Sequence, residues 1–289
     1  MIYKTSLLLL SVVLNALILT QAHSAQLVII IDDIGNNYEQ GNAMVELEGS
    51  LTLAFLPHTP YAKKLANKAY LVHKEIILHA PMENTAKAVL GPGALTQELT
   101  ETELKQTLKE AIASIPHTQG INNHMGSALT QNKQSMKWVM ETLQDEQLYF
   151  VDSLTSPKSV AYKLAQQQGL PSLRRHVFLD NDTSFASLNK QWQQALRISK
   201  KYGSAVLIAH PYTESHDFLA QKIPELSDQN VQLVPASQLF LDRVWKAFDH
   251  KKPHNSQYTN RYRFQSEKTS TFDSKQLNRQ SDLLSNRQN

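Results

Sequence analysis

Short apolar runs alternate with longer amphipathic stretches along most of the chain. The first run, Ile29-Ile30-Ile31, is continuous instead of alternating with polar residues, which is typical of a strand buried on both faces of a parallel sheet. Comparable runs predict further strands of the same kind. Together the predicted strands cover residues 27–31, 51–55, 75–78, 120–123, 148–151, 176–179, 205–209 and 231–234.

Helical patterns separate most of these strands. Thr100 and Glu103 have the spacing of a capping box, which predicts a helix that begins there, carries Leu104 and Leu108 on one face and ends before Pro116. Further helices are predicted around Trp138 and Leu143, over residues 160–168 and over residues 185–203.

Strands that alternate with helices of this length imply parallel βαβ units joined by right-handed crossovers. The number of units predicts an α/β fold, a seven- or eight-stranded (β/α) barrel that is closed or nearly closed. An open doubly wound sheet is the alternative. Either architecture gathers the carboxyl ends of its strands at one face, and ligands bind there.

The amino-terminal residues have the pattern of a secretory signal peptide. Lys4 precedes an apolar run over residues 6–20, and small residues follow as far as Ala25. We therefore expect residues 1–25 to be removed and the protein to be periplasmic or secreted, with no stable membrane span after cleavage. An uncleaved membrane anchor is the rival interpretation, although the run is shorter than the roughly 20 residues that a bilayer span needs.

The barrel domain is expected over residues 26–249, and the last forty residues differ from it in composition. Residues 250–289 contain eight Lys and Arg against three Asp and Glu, a balance of +5 that leaves the rest of the chain at −2. They also contain few apolar residues, which predicts a disordered basic tail. Weak adhesion to anionic envelope polymers or lipid surfaces is the alternative role for this tail.

The composition excludes several kinds of chemistry. The chain has no cysteine, so disulfides, thiolate metal sites and cysteine nucleophiles are impossible. Neither a phosphate-cradling loop nor a Gly-x-Ser-x-Gly elbow occurs. No folded segment interleaves aromatic residues with arginines, so nucleic acid is not an expected partner. Any metal ion must be held by His, Asp or Glu.

Polar residues follow several predicted strands directly. Asp32 and Asp33 end the first apolar run, and two adjacent carboxylates repel each other unless a cation or a shared proton lies between them. His79 and His124 follow two later strands. A carboxylate with two imidazoles leaves positions open for water and substrate, as in catalytic zinc sites. We predict a divalent metal ion, zinc by preference, held by Asp33, His79 and His124, with Glu83 as a substitute ligand.

Three further residues at strand ends are assigned catalytic roles. Asp32, beside the predicted ligand Asp33, would take a proton from the metal-bound water as general base. His210 would protonate the leaving group from the opposite wall of the mouth. Asp152 would orient one of these residues through a hydrogen bond.

Several of these strings resemble motifs of the polysaccharide deacetylase family, over about residues 27–248. Asp32-Asp33-Ile34-Gly35 resembles the family's first motif, whose first Asp is the base and whose second binds metal. The strand that ends at His79 resembles the one that carries the first metal-binding His, and Leu207-Ile208-Ala209-His210 resembles the motif of the proposed acid. Asp152 falls near the family's fourth motif.

Two strings are similar to marks of a divergent branch of exported bacterial proteins: Leu78-His79-Ala80-Pro81-Met82-Glu83 and Asn122-Asn123-His124-Met125-Gly126-Ser127. Ordinary members carry a second His where this chain has Glu83, and an Arg-Pro motif where it has Asn122-Asn123-His124. The resemblance implies that His124 restores the missing ligand from a neighbouring strand. The arginine that tunes the base in ordinary members has no evident counterpart in the sequence.

The resemblance implies a metal-dependent hydrolase that removes acetyl groups from an N-acetylated polysaccharide of the cell envelope, so the expected partner is a glycan. Two alternatives remain open at this point. The first is a catalytically inactive glycan-binding or envelope-regulatory protein on the deacetylase scaffold. The second is a metal hydrolase that acts on another amide or ester, such as a peptide crosslink.

Overall fold

The computed structural model describes residues 24–240. The predicted signal peptide, apart from its last two residues, and the predicted basic tail lie outside the described residues. The strands are β1 (Ala25–Ile34), β2 (Thr52–Phe55), β3 (Glu75–Met82), β4 (Gly120–Met125), β5 (Tyr149–Asp152), β6 (Ser172–Arg174), β7 (Val177–Phe178), β8 (Ser204–Ala209) and β9 (Val231–Leu233). The α-helices are α1 (Tyr38–Glu46), α2 (Ala62–Leu71), α3 (Glu101–Ser114), α4 (Lys133–Asp145), α5 (Ala161–Gln167), α6 (Phe185–Tyr202) and α7 (Thr213–Lys222).

All the paired strands run parallel, and helices alternate with most of them. The strand order is β6-β5-β4-β3-β2-β1-β8-β7, and β9 pairs with the start of β1. Strands β6 and β7, at the two ends of this order, are halves of one extended segment. Within it the Arg175 N–H bonds to the Asp152 carbonyl of β5, and the next residue, His176, bonds to the Val206 carbonyl of β8. The sheet therefore curls into an irregular β/α barrel, which confirms the predicted fold class.

Alternation along the strands divides the core into two layers. Leu27, Ile29 and Ile31 of β1 pack outward in the cluster that the helices cover. Val28 and Ile30 point into the barrel, where they join interior residues of the other strands. The segment after β9 closes the amino-terminal end of this interior with Val234, Ala236, Leu239 and Phe240. The next interior positions towards the carboxyl ends of the strands are polar, and they form the candidate site.

The eight predicted strands and four predicted helices are all present. The capping box is complete: the Thr100 hydroxyl accepts from the Glu103 N–H, and the Glu103 carboxylate accepts from the Thr100 N–H. The hydrophobic pattern does not predict β6 separately, since Leu173 is the only apolar residue among its three. Within residues 24–240 no helix has the length and apolar character needed to cross a membrane.

Candidate metal centre

The two adjacent aspartates reach the same side of the sheet because β1 contains a bulge. In a regular strand Asp32 would follow Val28 and Ile30 into the barrel and Asp33 would point outward. The register against β2 slips by one residue between Ile31 and Ile34, and Asp33 takes a left-handed backbone conformation with φ of 58°. A bulge of this kind re-aims a side chain. Both carboxylates therefore lie at the mouth of the barrel.

Asp33, His79 and His124 bring one ligand atom each to a common point. Asp33 Oδ1 lies 2.9 Å from His124 Nδ1 and 3.2 Å from His79 Nε2, and the two nitrogens are 3.2 Å apart. Ligands about 2.0–2.2 Å from one ion stand about 2.8–3.6 Å apart when their bonds subtend 90–110°. Asp33 Oδ1 is buried and makes no well-aligned hydrogen bond among the described residues. The three atoms fit a tetrahedral or octahedral ion.

The other nitrogen of His79 faces a neighbouring strand. His79 Nδ1 lies 2.7 Å from Asn122 Oδ1 of β4, and Asn122 Nδ2 donates to Asp32 Oδ1, also at 2.7 Å. The second oxygen of Asp32 is 3.6 Å from His79 Nε2. Asp32 thus lies beside the three ligand atoms without being one of them.

Burial and charge act in opposite directions on these groups. Burial favours a higher pKa for Asp33, but the adjacent imidazoles of His124 and His79 outweigh it and hold the pKa far below the ordinary value. Burial dominates at Asp32 and raises its pKa, against the opposing effect of His79 and His210. Burial favours a lower pKa for His79, but the Asp32 and Asp33 carboxylates raise it. The imidazoles thus favour the charged form of Asp33, and the carboxylates favour the charged form of His79.

His210 follows β8, which pairs with β1. Its Nδ1 is 2.8 Å from Asp180 Oδ1, and its main-chain N–H donates to Asp180 Oδ2. Burial favours a lower pKa for His210, but Asp180 overcomes it and raises the pKa to about 9. An imidazole with this pKa is protonated at neutral pH.

A cavity of about 170 Å³ lies between the segment that follows β1 and the segment that follows β8. Asp33 and His210 both line it, with Tyr212 beside His210 at a ring separation of 5.7 Å. Its remaining walls are mostly side-chain amides and small or apolar groups: Ile34, Asn36, Asn37, Gln40, Gly41 and Pro211. One candidate ligand, Asp33, and the candidate acid, His210, therefore face the same cavity.

The sequence profile of the divergent polysaccharide deacetylase family matches residues 29–240. The chain belongs to this family. The YibQ protein of Escherichia coli is 33% identical over 216 residues, which cover 75% of this chain and 67% of YibQ. A Haemophilus influenzae protein has the same identity over the same length, covering 77% of that protein. The crystal structure of ATU2773 from Agrobacterium tumefaciens matches the fold with a TM-score of 0.73 at 20% identity, over 76% of this chain and 91% of the other.

Among the described residues of this deacetylase-family chain, Glu83 is not part of the group formed by Asp33, His79 and His124. Its carboxylate accepts from the Gln97 N–H at 2.7 Å, and its carbonyl accepts from the N–H groups of Ala128 and Leu129. These bonds join the loop after β3 to the loop after β4. The expectation of Glu83 as a substitute ligand is therefore corrected: its contacts are those of a loop anchor.

Asp152 also departs from its expected place. Its carboxylate accepts from the Leu154 N–H, the Ser159 hydroxyl and the Tyr162 N–H, so it organises the start of α5. The physical reason is alternation: Tyr149 and Val151 of β5 belong to the interior cluster, so Asp152 points outward. None of these bonds reaches the ligand group, and the mechanism proposed below gives Asp152 no role.

The deacetylase-family chain also has an arginine near Asp32, the candidate base, in the segment between β6 and β7, which the sequence did not single out. Arg175 donates to the carbonyls of Ser153 and Leu154, and its guanidinium lies 3.8 Å from the centre of the Phe178 ring. Burial lowers the Arg175 pKa, and the carboxylates of Asp152 and Asp32 oppose that change. Asp32 therefore has a fixed cation within electrostatic range.

Proposed function

We propose that this chain is a metal-dependent hydrolase of the cell envelope that removes acetyl groups from an N-acetylated polysaccharide. The convergence of Asp33 Oδ1, His79 Nε2 and His124 Nδ1 carries the proposal. Family membership supports a glycan substrate. The apolar run over residues 6–20 supports export to the periplasm or beyond.

The donor set suits a catalytic divalent ion. Two imidazoles and one carboxylate are ligands that zinc takes readily, and three protein ligands leave room for water and substrate. When bound, such an ion polarises a carbonyl and lowers the pKa of its water. The residues that would hold it come from β1, β3 and β4.

Asp32 is the proposed general base. It is buried, and its Oδ2 lies 3.6 Å from the ligand atom of His79, so it faces the place where the attacking water would be held. The raised pKa of Asp32 makes it a stronger base than an exposed carboxylate. Asn122 keeps this carboxylate in place by a hydrogen bond.

His210 is the proposed general acid. With a pKa of about 9 it carries the proton that a leaving amine needs, and it borders the same cavity as Asp33. Asn36 and Gln40 line that cavity with amides that can bond to sugar hydroxyls, and Tyr212, 43% exposed, offers a ring face beside His210. Polar groups and an exposed ring suit a carbohydrate better than an apolar ligand.

The test is a product screen with the mature chain, after chelation and after zinc is restored. Acetylated chito-oligosaccharides and peptidoglycan fragments are incubated with each form, and products are identified by mass spectrometry. We expect loss of acetyl groups that stops on chelation and returns with zinc. Stoichiometric zinc binding with no change in any acetylated glycan would overturn the deacetylase assignment.

The two alternatives give different results in the same screen. Release of a different acyl or peptide group would identify a hydrolase of another amide or ester. Saccharide binding that survives Asp32→Asn and His210→Ala, with no turnover by the wild type, would identify a glycan-binding protein.

A further inference from the structure

Asn122 lies at the centre of the site although it is neither a candidate ligand nor a candidate base. It is an interior residue of β4 with 0% of its surface exposed, and it sits opposite His79 in the β3–β4 register. Its carbonyl oxygen is 2.7 Å from His79 Nδ1, and its amide nitrogen is 2.7 Å from Asp32 Oδ1. One side chain therefore joins the ligand on β3 to the base on β1.

The partners of Asn122 determine which way its amide points. With Nδ2 towards Asp32, an N–H meets a carboxylate oxygen, which is a favourable charge-assisted bond. The reversed amide would place two acceptor oxygens against each other in a buried site. Since Asp32 fixes the amide nitrogen, the amide oxygen must face His79 Nδ1, and that nitrogen must carry the proton.

We propose that Asn122 is a positioning residue that sets the proton arrangement of His79. A proton held on Nδ1 leaves the Nε2 lone pair free, and Nε2 is the atom that stands 3.2 Å from both Asp33 Oδ1 and His124 Nδ1. Histidine ligands are commonly oriented by such an outer partner. The inference rests on the proposed function, because it concerns the ion that this function requires.

The same residue ties the metal site to the base. Asp32 is held by the Asn122 N–H, while the orientation of that N–H is coupled to the bond with His79. Asn122 has a third, longer contact of 3.4 Å with the Ser153 hydroxyl, which is the weakest of the three. Removing the amide breaks both hydrogen bonds. An aspartate at this position would keep the acceptor for His79 and lose the donor to Asp32.

Two readouts test the inference. The first is zinc affinity, measured by competition with a chromophoric chelator on variants whose folding is checked by circular dichroism. The second is the proton position on the His79 ring, from long-range ¹H–¹⁵N correlations of the metal-free chain at alkaline pH. The variants are Asn122→Ala and Asn122→Asp, with Ser153→Ala as the matched control that removes only the 3.4 Å contact.

We expect Asn122→Ala to bind zinc about 10- to 100-fold more weakly, the usual effect of losing an outer partner, and to lose the fixed proton on Nδ1. Asn122→Asp should keep that proton and bind zinc about as well as the wild type, yet turn over more slowly because Asp32 has lost its donor. Ser153→Ala should match the wild type in both readouts.

Wild-type zinc affinity and an unchanged Nδ1 proton in Asn122→Ala would overturn the inference. If Asn122→Ala does not fold, loss of the Nδ1 proton in Asn122→Asp would overturn it. Failure of the wild type to bind zinc is a different result: it removes the proposed function, while the proton position in the metal-free chain still decides the role of Asn122.

Discussion

Asp180 holds His210 at two points. Asp180 Oδ1 lies 2.8 Å from the ring Nδ1, and Asp180 Oδ2 accepts the main-chain N–H of His210 at 2.6 Å. The Ser215 hydroxyl donates to the same Oδ2. A carboxylate bound in this way fixes the imidazole ring, stabilises its protonated form and leaves Nε2 as the ring nitrogen that can give up a proton.

We predict that Asp180→Asn lowers the His210 pKa and moves the alkaline limb of the kcat profile to lower pH. The reason is the loss of the negative charge that raises this pKa to about 9. The check is a pH–rate profile, with Ser215→Ala as the control because it removes a hydroxyl and keeps the carboxylate. An alkaline limb that stays in place in Asp180→Asn would contradict the assignment of His210 as the acid.

The same ion pair should make folding stability depend on pH. His210 is protonated more readily in the folded chain than in the unfolded one, so its contribution is complete below about pH 6.5, the unfolded value. It is lost as the pH rises through about 9. Urea unfolding across this range should show a decline that His210→Gln lacks, and equal declines in both proteins would contradict the pairing.

Substitutions at Asp32 and Asp33 should have different effects, one on turnover and the other on metal binding. Asp32→Asn keeps the three candidate ligands and removes the base, so zinc binding should persist while kcat falls by about 100- to 10,000-fold. Asp33→Asn removes a charged ligand, so zinc affinity itself should fall. Equilibrium dialysis and steady-state kinetics check both variants. Loss of zinc binding in Asp32→Asn with retention in Asp33→Asn would reverse the two roles.

Gly35 should be required for the position of Asp33. Its φ is 137°, and a Cβ at this position would lie 2.1 Å from the Thr59 hydroxyl oxygen. Gly35→Ala should therefore lower both stability and zinc affinity, since the chain next to the ligand must move. Gly203→Ala is the control: its φ of 86° is also positive, but a Cβ would meet nothing within 4 Å. Equal effects on zinc affinity in both variants would contradict the role given to Gly35.

A substitution at the amino-terminal end of the barrel should lower stability without changing the candidate metal site at the other end. Glu75 is buried there, accepting from the Thr52 hydroxyl and from the Ser237 N–H. Glu75→Ala leaves these donors without the carboxylate, and we predict a loss of about 1–3 kcal/mol in the free energy of unfolding. Urea titration measures the loss, and zinc affinity is the control. A large change in zinc affinity would show that the two ends are coupled.

The strand pattern was enough to predict the barrel and to place His79 and His124 at its mouth, because interior positions recur at every second residue. Asp152 shows the limit of that argument. A strand that is apolar on both faces does not reveal which face is inside, so a polar residue just after it can point either way. Pairing with β4 decides the matter, and it turns Asp152 outward.

Two further parts of the site depend on contacts between strands. The bulge that re-aims Asp33 exists only in the register of β1 against β2. The role of Asn122 depends on an amide held between two strands, which no local pattern encodes. Asp180 did follow a predicted strand in the sequence, and only its two bonds to His210 assign it a role.

The proposed function requires Asp33, His79 and His124 to hold one divalent ion together. Its most direct test is the zinc stoichiometry and affinity of the mature chain after controlled loading, compared with His79→Ala, His124→Ala and Glu83→Ala. We predict one zinc per wild-type chain, greatly weakened binding in both histidine variants, and wild-type binding in Glu83→Ala. A wild type that binds no zinc, or histidine variants that bind it as tightly as the wild type, would contradict the account.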